Sequence, residues 1–240
     1  MHFALASEHL DFFHAHQYVE FDSLITESEA TALAEATKQI TTTRLHHAHQ
    51  SLPQASLEAL FLAGRDHWRE HQAIKKIVLR PQLANIAAQL SKQNNLRIAY
   101  DQVLLTALPT AAVPGESHYP SLFSPTTLDA SSCIQGIAAA LILQLSPVDS
   151  SLMIADELAP FTLLPQNKGN GLFFKPTLPF SLAYLRAAHQ PIHQLLIVYG
   201  SKKSMYKRED RDPHTHKLKK FGYTFGDRLT QATHPILTRI

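Results

Sequence analysis

Apolar residues recur at helical spacing through the first 95 positions, then at strand spacing through most of the rest. Ala30, Leu33, Ala34 and Ile40 fall on one face of a 3.6-residue repeat, so Glu27 to about Ile40 reads as a helix. Thr26-Glu27-Ser28-Glu29 precedes it in capping-box form, with the Thr26 oxygen and the Glu29 carboxylate each taking a free backbone N–H. A second helix is predicted after Ser56, with Leu57, Leu60, Phe61 and Trp68 on its stripe. A third starts at Pro81, a residue suited to a first helical turn, carries Leu83, Ile86, Ala87 and Leu90, and stops at Asn94-Asn95.

From Leu96 the period shortens. Leu96 to Leu108, Cys133 to Leu145, Ser151 to Ala155, Gly171 to Lys175 and His193 to Tyr199 read as strands. Pro109, Pro114, Pro125, Pro147, Pro160, Pro165 and Pro176 punctuate the intervals. Short strands joined by proline-rich connections point to a sandwich or jelly roll. No repeat period and no long flexible linker divides the chain, so residues 1 to 240 are expected to form one domain.

Composition narrows the class. Hydrophobic residues at 45% and charges at 18% exclude a disordered chain. The longest clean apolar run, Ile137 to Leu143, is too short to span a bilayer, so no membrane segment is expected. His2, Glu8, His9, Asp11 and His14 break up any early apolar stretch, which argues against a signal peptide. Cys133 is the only cysteine; it fits a reducing cytoplasm and reads as a small buried side chain.

The net charge of +2 conceals an asymmetry. Ser201 to Lys220 holds eight basic and three acidic residues, a local +5 that leaves the remainder at −3. Such a stretch attracts phosphates, so the alternative to a small-molecule protein is a divalent-metal-responsive regulator or nucleic-acid-binding protein using residues 201–220. Glu209, Asp210 and Asp212 lie within it and favour a solvated loop, and no helix-turn-helix, zinc finger or aromatic stacking platform accompanies it.

Fifteen histidines supply candidate metal chemistry. His46, His47 and His49 form one cluster and His214 and His216 another, neither at a zinc spacing; both read as exposed polar loops. His67 and His71, four apart on the expected second helix, read as a solvated pair. Glu116 and His118 are two apart and would share a strand face, with a surface loop around Pro114-Gly115 as the plainer reading. No Gly-x-Ser-x-Gly elbow, phosphate-cradling loop or dinucleotide fingerprint occurs.

The order of elements carries a resemblance. His16-Gln17-Tyr18-Val19-Glu20-Phe21-Asp22-Ser23-Leu24-Ile25-Thr26-Glu27 resembles the opening strand and helix of the phytanoyl-CoA-hydroxylase-like branch of Fe(II)/2-oxoglutarate oxygenases. Pro81 to Leu90 followed by Ile98-Ala99-Tyr100-Asp101-Gln102-Val103-Leu104 is similar to that branch's next helix and first barrel strand. His118, Ile137 to Leu145 and Gly171-Leu172-Phe173-Phe174 follow in the same order, so the likeness covers roughly residues 12 to 200. A conserved hypothetical protein of chlamydiae is similar in the same way. The resemblance implies an α+β fold with a double-stranded β-helix (jelly-roll) core, N-terminal helices packed against it, and Fe(II) and 2-oxoglutarate as cofactors.

The family's iron site needs a His-x-carboxylate pair and a distal histidine, with a basic residue about ten positions later for 2-oxoglutarate. His118 matches the first ligand, and Pro120 stands where the carboxylate belongs. Aligned on glycine and aromatics, the strand after Gly171 puts the distal position near Phe180 and the basic position near His193. In a shifted alignment His189 or His193 is the distal ligand, and Lys202 or Lys203 is the carboxylate partner. Both alignments lack the carboxylate, so the resemblance implies a derived protein that has lost the activity or uses a changed site centred on His118. No catalytic residue is assigned.

Overall fold

The computed structural model describes residues 5–106, 123–148, 159–187 and 191–238. Its elements are α1 (Ser7–His16), β1 (Tyr18–Phe21), α2 (Glu27–His47), α3 (Leu57–Ala63), α4 (Gln72–Val78), α5 (Pro81–Ser91) and β2 (Arg97–Leu105). They continue with α6 (Leu128–Ser131), β3 (Ile134–Gln144), β4 (Gly171–Phe174), α7 (Tyr184–Ala187) and β5 (His193–Tyr206). The strands form one sheet in the order β1-β4-β3-β5-β2, and every neighbouring pair is antiparallel.

Both faces of this sheet are covered. On one face Phe13, Leu33, Ile74, Leu83 and Leu90 of the helices pack on Leu141, Phe173 and Ile197 of the strands. On the other, Tyr100, Ile142, Phe174 and Val198 meet Phe123, Tyr184 and Tyr206. We call these the helical face and the inner face. Double coverage explains why β3 reads as a continuous apolar run rather than an alternating one.

The capping box at α2 forms as the sequence predicts: Glu29 N donates to Thr26 Oγ1 at 3.2 Å, and Thr26 N to Glu29 Oε2 at 3.0 Å. The helix runs seven residues beyond Ile40, through three threonines that favour other structures. Each satisfies its hydroxyl on the carbonyl four residues back, Thr41 on Thr37, Thr42 on Lys38 and Thr43 on Gln39. Buried Leu45 then extends the apolar stripe.

Trp68 does not lie on the second helix. That helix ends at Ala63, and Trp68 sits in a separate turn of 3-10 helix, His67–Arg69, entered through Asp66 at φ 63°. The expected solvated pair also changes character. His67 is fully buried, its Nε2 donating to the Ala63 carbonyl at 2.9 Å, whereas His71 Nδ1 accepts from Ala73 N and caps α4. Strand β5 extends seven residues past Tyr199 to Tyr206. The strand expected over Ser151 to Ala155 lies outside the described residues.

Candidate functional site

Side-chain alternation along the strands decides what faces inward. On β2, Tyr100 and Leu104 belong to the inner face and Ile98 and Val103 to the helical one; on β5, Leu196 and Val198 face in while Leu195, Ile197 and Tyr199 face the helices. A cleft with an empty volume of about 480 Å³, part of it open to solvent, lies against Tyr100, Gln102, Phe180, Leu182 and Leu196.

The floor of this cleft is held by the loop after α3. Val103 N donates to the Gly64 carbonyl at 2.8 Å and Asp66 N to the Asp101 carbonyl at 2.9 Å, which ties the loop to the edge of β2. Gly64 comes so close that a β-carbon there would lie 2.6 Å from both Gln102 Nε2 and the Val103 oxygen, so no larger residue fits. This approach places Arg65 directly over β2. Its guanidinium sits 3.7 Å from the centre of the Tyr100 ring, and Nε donates to Gln102 Oε1 at 2.9 Å.

Arg65 is buried, with 5% of its surface exposed. Burial is the largest single influence and works against its charge, but Asp212, Tyr100, Cys133 and Asp66 together outweigh it and raise the pKa above the ordinary arginine value. The contact between Arg65 Nη2 and Asp212 Oδ1 is long, at 3.5 Å. Asp212 has closer partners: Cys133 N reaches Oδ2 at 2.8 Å and His214 N reaches Oδ1 at 2.9 Å. Lys217 Nζ donates to the Arg65 carbonyl at 2.8 Å, and burial brings its pKa down to about 7. On the same strand Asp101 points the other way and accepts N–H groups of His67 and Trp68, each at 3.1 Å. Burial, and then the neighbouring Asp66, push the Asp101 pKa up to about 7.

A second polar chain crosses the interior. Tyr184 Oη donates to Gln194 Oε1 at 2.5 Å, Gln194 Nε2 to Gln144 Oε1 at 2.9 Å, and Gln144 Nε2 to the Ser146 carbonyl at 3.0 Å. All three side chains are buried.

The sequence-derived candidates scatter. His118 and His189 lie outside the described residues, as do Glu116 and Pro120. His193 is buried, and its Nε2 meets Thr37 Oγ1 of α2 at 2.8 Å, so the imidazole points to the helical face and away from the cleft. Lys202 and Lys203 are exposed, nine and ten residues further along β5, roughly 30 Å from His193 at the usual strand rise. Phe180 lines the cleft and packs on Phe174 at 5.8 Å between ring centres. His46, His47 and His49 are exposed as expected, but His214 is buried and stacks on Phe61. Among the described residues no group of three histidine, cysteine or carboxylate side chains is placed to hold a metal ion.

Three of the eight cations in the basic segment pair with its own carboxylates, while Lys202, Lys203, Lys219 and Lys220 are exposed. Lys207 and Arg211 contact Glu209 at 3.3 and 3.0 Å, and Arg208 contacts Asp210 at 2.9 Å. No helix among the described residues is long and apolar enough to cross a membrane.

Sequence reasoning missed Arg65, Gln102, Gln144 and Gln194. For Arg65 no motif exists. The glutamines did leave a trace: each adjoins an apolar run, Gln102 before Val103 to Leu105, Gln144 after Ile137 to Leu143 and Gln194 before Leu195 to Val198, and an amide buried there needs a partner.

No protein-family model and no curated protein matches the chain. Solved structures do. The chain is similar to SnoK, a non-heme alpha ketoglutarate dependent carbocyclase from nogalamycin biosynthesis, at 16% identity over 98% of this chain and 97% of that one, with a TM-score of 0.67. It is similar to SnoN, an epimerase from the same biosynthesis, at 18% identity over 97% of this chain and 96% of that one, with a TM-score of 0.62. Another SnoN structure contains Fe3+, alpha ketoglutarate and nogalamycin RO. CT296 from Chlamydia trachomatis aligns more loosely, at 15% identity over 84% of this chain and 99% of that one, with a TM-score of 0.46. The fold of this chain is that of Fe/2-oxoglutarate oxygenase-like proteins.

Proposed function

We propose that this chain is a derived member of the oxygenase fold, a double-stranded β-helix of one domain over residues 1–240. In this reading it binds a small organic molecule in the inner cleft and does not carry out standard hydroxylation with Fe(II) and 2-oxoglutarate. The observation that carries the reading is the identity of the inward side chains. Phe180, at the position that the glycine-and-aromatic alignment gives to the distal histidine, forms part of the cleft wall and has no ligand atom. Beside His193, where that alignment puts the basic residue, the inward side chain is Gln194, neutral and bonded at both ends of its amide.

These residues do not fit the standard iron site. A metal held by His118 would lack the carboxylate at Pro120 and a donor at Phe180. In the shifted alignment His193 is not favoured as the distal ligand, because its Nε2 is engaged with Thr37 on the helical face, and His189 lies outside the described residues. The nucleic-acid alternative is weakened because three of the segment's eight cations pair with its own carboxylates and Lys217 is engaged with the Arg65 carbonyl.

Anaerobic calorimetry with Mn(II) or Fe(II), with and without 2-oxoglutarate, tests the proposal. The expected result is no tightening of metal binding by 2-oxoglutarate. Tight coupled binding that disappears in His118→Ala would overturn it.

A further inference from the structure

We infer that the inner cleft selects a monocarboxylate with an apolar body, and that Arg65 receives the carboxylate. The inference rests on the reading of this cleft as the ligand site and adds the chemical class of the ligand.

Arg65 is the cation built into the floor. Its stacking on Tyr100 and its Nε bond to Gln102 fix the plane of the guanidinium. Nη2 spends its contact on an Asp212 carboxylate that already takes two backbone N–H groups. Nη1 makes no hydrogen bond among the described residues. A buried guanidinium with a free amine edge is a preorganised seat for a planar anion, and little reordering is needed to use it. The charge around the seat also suits a single negative group. Asp212 is offset by its three donors, and the Asp66 carboxylate has Arg69 at 3.9 Å and Lys217 at 4.0 Å.

The rest of the wall sets the body of the ligand. Phe180, Leu182 and Leu196 present hydrocarbon, and Thr126 and Ser131 stand at the partly exposed side. The empty volume of about 480 Å³ includes space open to solvent, so the body of the ligand lies along this apolar wall and reaches toward the open side. Arg211, the other cation lining the cleft, is held by Glu209 at 3.0 Å, so a second carboxylate on the ligand would have to displace Glu209 or lie against Phe180 and the leucines, where it costs desolvation.

Calorimetry on the full chain in EDTA, with cinnamate, cinnamyl alcohol and 2-oxoglutarate as probes, tests this. Cinnamate should bind at least about tenfold more tightly than the alcohol, since a charged hydrogen bond to Arg65 is worth that much. It should also bind more tightly than 2-oxoglutarate. Arg65→Gln should reduce cinnamate to the level of the alcohol. Because that change alters a buried residue, Thr126→Trp serves as a second variant: it fills the cleft from its edge, leaves Arg65 in place, and should weaken both cinnamate and the alcohol. Equal binding of acid and alcohol, preference for 2-oxoglutarate, or cinnamate affinity unchanged in folded Arg65→Gln would each overturn the inference. These outcomes arise without metal, so they are distinguishable from coupled Fe(II) and 2-oxoglutarate binding through His118, which would overturn the proposed function instead.

Discussion

His193 Nε2 and Thr37 Oγ1 meet at 2.8 Å between β5 and α2, and the Thr37 hydrogen is already donated to the Leu33 carbonyl at 2.7 Å. The imidazole must therefore donate from Nε2, as a neutral ring. Burial lowers the His193 pKa to about 4. The contact locks the helical side of β5 against α2 and turns Gln194 and Leu196 toward the cleft.

Acid should destabilise the protein. Burial lowers His67 and His234 to about 3, and holds His214 well below its ordinary value. These imidazoles stay neutral in the fold but charge near pH 6.5 when unfolded, so their contribution is whole above pH 6.5 and is lost as pH falls toward 4. Asp101 opposes them: its raised pKa makes its contribution whole below about pH 4 and lost as pH rises through 7. Four imidazoles outweigh one carboxyl, so near pH 5 unfolding takes up protons, and each net proton adds about 1.4 kcal/mol per pH unit to the slope. Urea unfolding from pH 7 to 4.5 should show falling stability, with a slope smaller by about one proton in His193→Gln.

Gly64→Ala should push the loop off β2, because the new carbon meets a backbone oxygen that cannot rotate away. We expect a loss of about 2–3 kcal/mol in chemical denaturation. Cinnamate binding should weaken in the same variant at temperatures where it remains folded, since Arg65 moves with its neighbour.

Tyr184→Phe removes the donor to Gln194 Oε1 and leaves a buried acceptor open. The expected cost is about 1–3 kcal/mol. Gln194→Leu combined with Tyr184→Phe should cost less than the sum of the two changes, which a double-mutant cycle in urea reads directly.

Lys217 and its neighbours separate structure from surface charge. Lys217 holds the Arg65 carbonyl, so Lys217→Ala should lower stability by about 1–2 kcal/mol. Lys219 and Lys220 are exposed over Phe225 and Phe221, and their replacement by alanine should leave stability within about 0.5 kcal/mol. Any duplex DNA affinity should be weak, indifferent to sequence and steeply salt-dependent, and should fall in the Lys219/Lys220 variant. Titration in rising salt reads this, and a footprint on one sequence at physiological salt is the contrary result.

Local signals were enough for several elements, but not for α1, α4 or the break after Ala63 that takes Trp68 out of α3. The Thr26 capping box, the Pro81 start and the apolar runs of β2 to β5 are patterns of near neighbours, and each element formed where they stood. Register and facing were not legible, because they depend on pairing between distant strands. His193 and Gln194 are adjacent in sequence, yet the antiparallel partners of β5 send one to Thr37 and the other to Tyr184. His67 and His214 read as solvated because histidine is polar, and tertiary packing buried both. Arg65 shows the limit most plainly. Nothing beside it in sequence marks a ligand seat; it becomes one because Gly64 lets a loop close on β2 and because Tyr100, 35 positions later, faces inward beneath the guanidinium. The chain's own order of residues determined which segments coil and which extend, while only the folded sheet decided which side chains share a cavity, since that sharing is set by strand pairing across the whole chain.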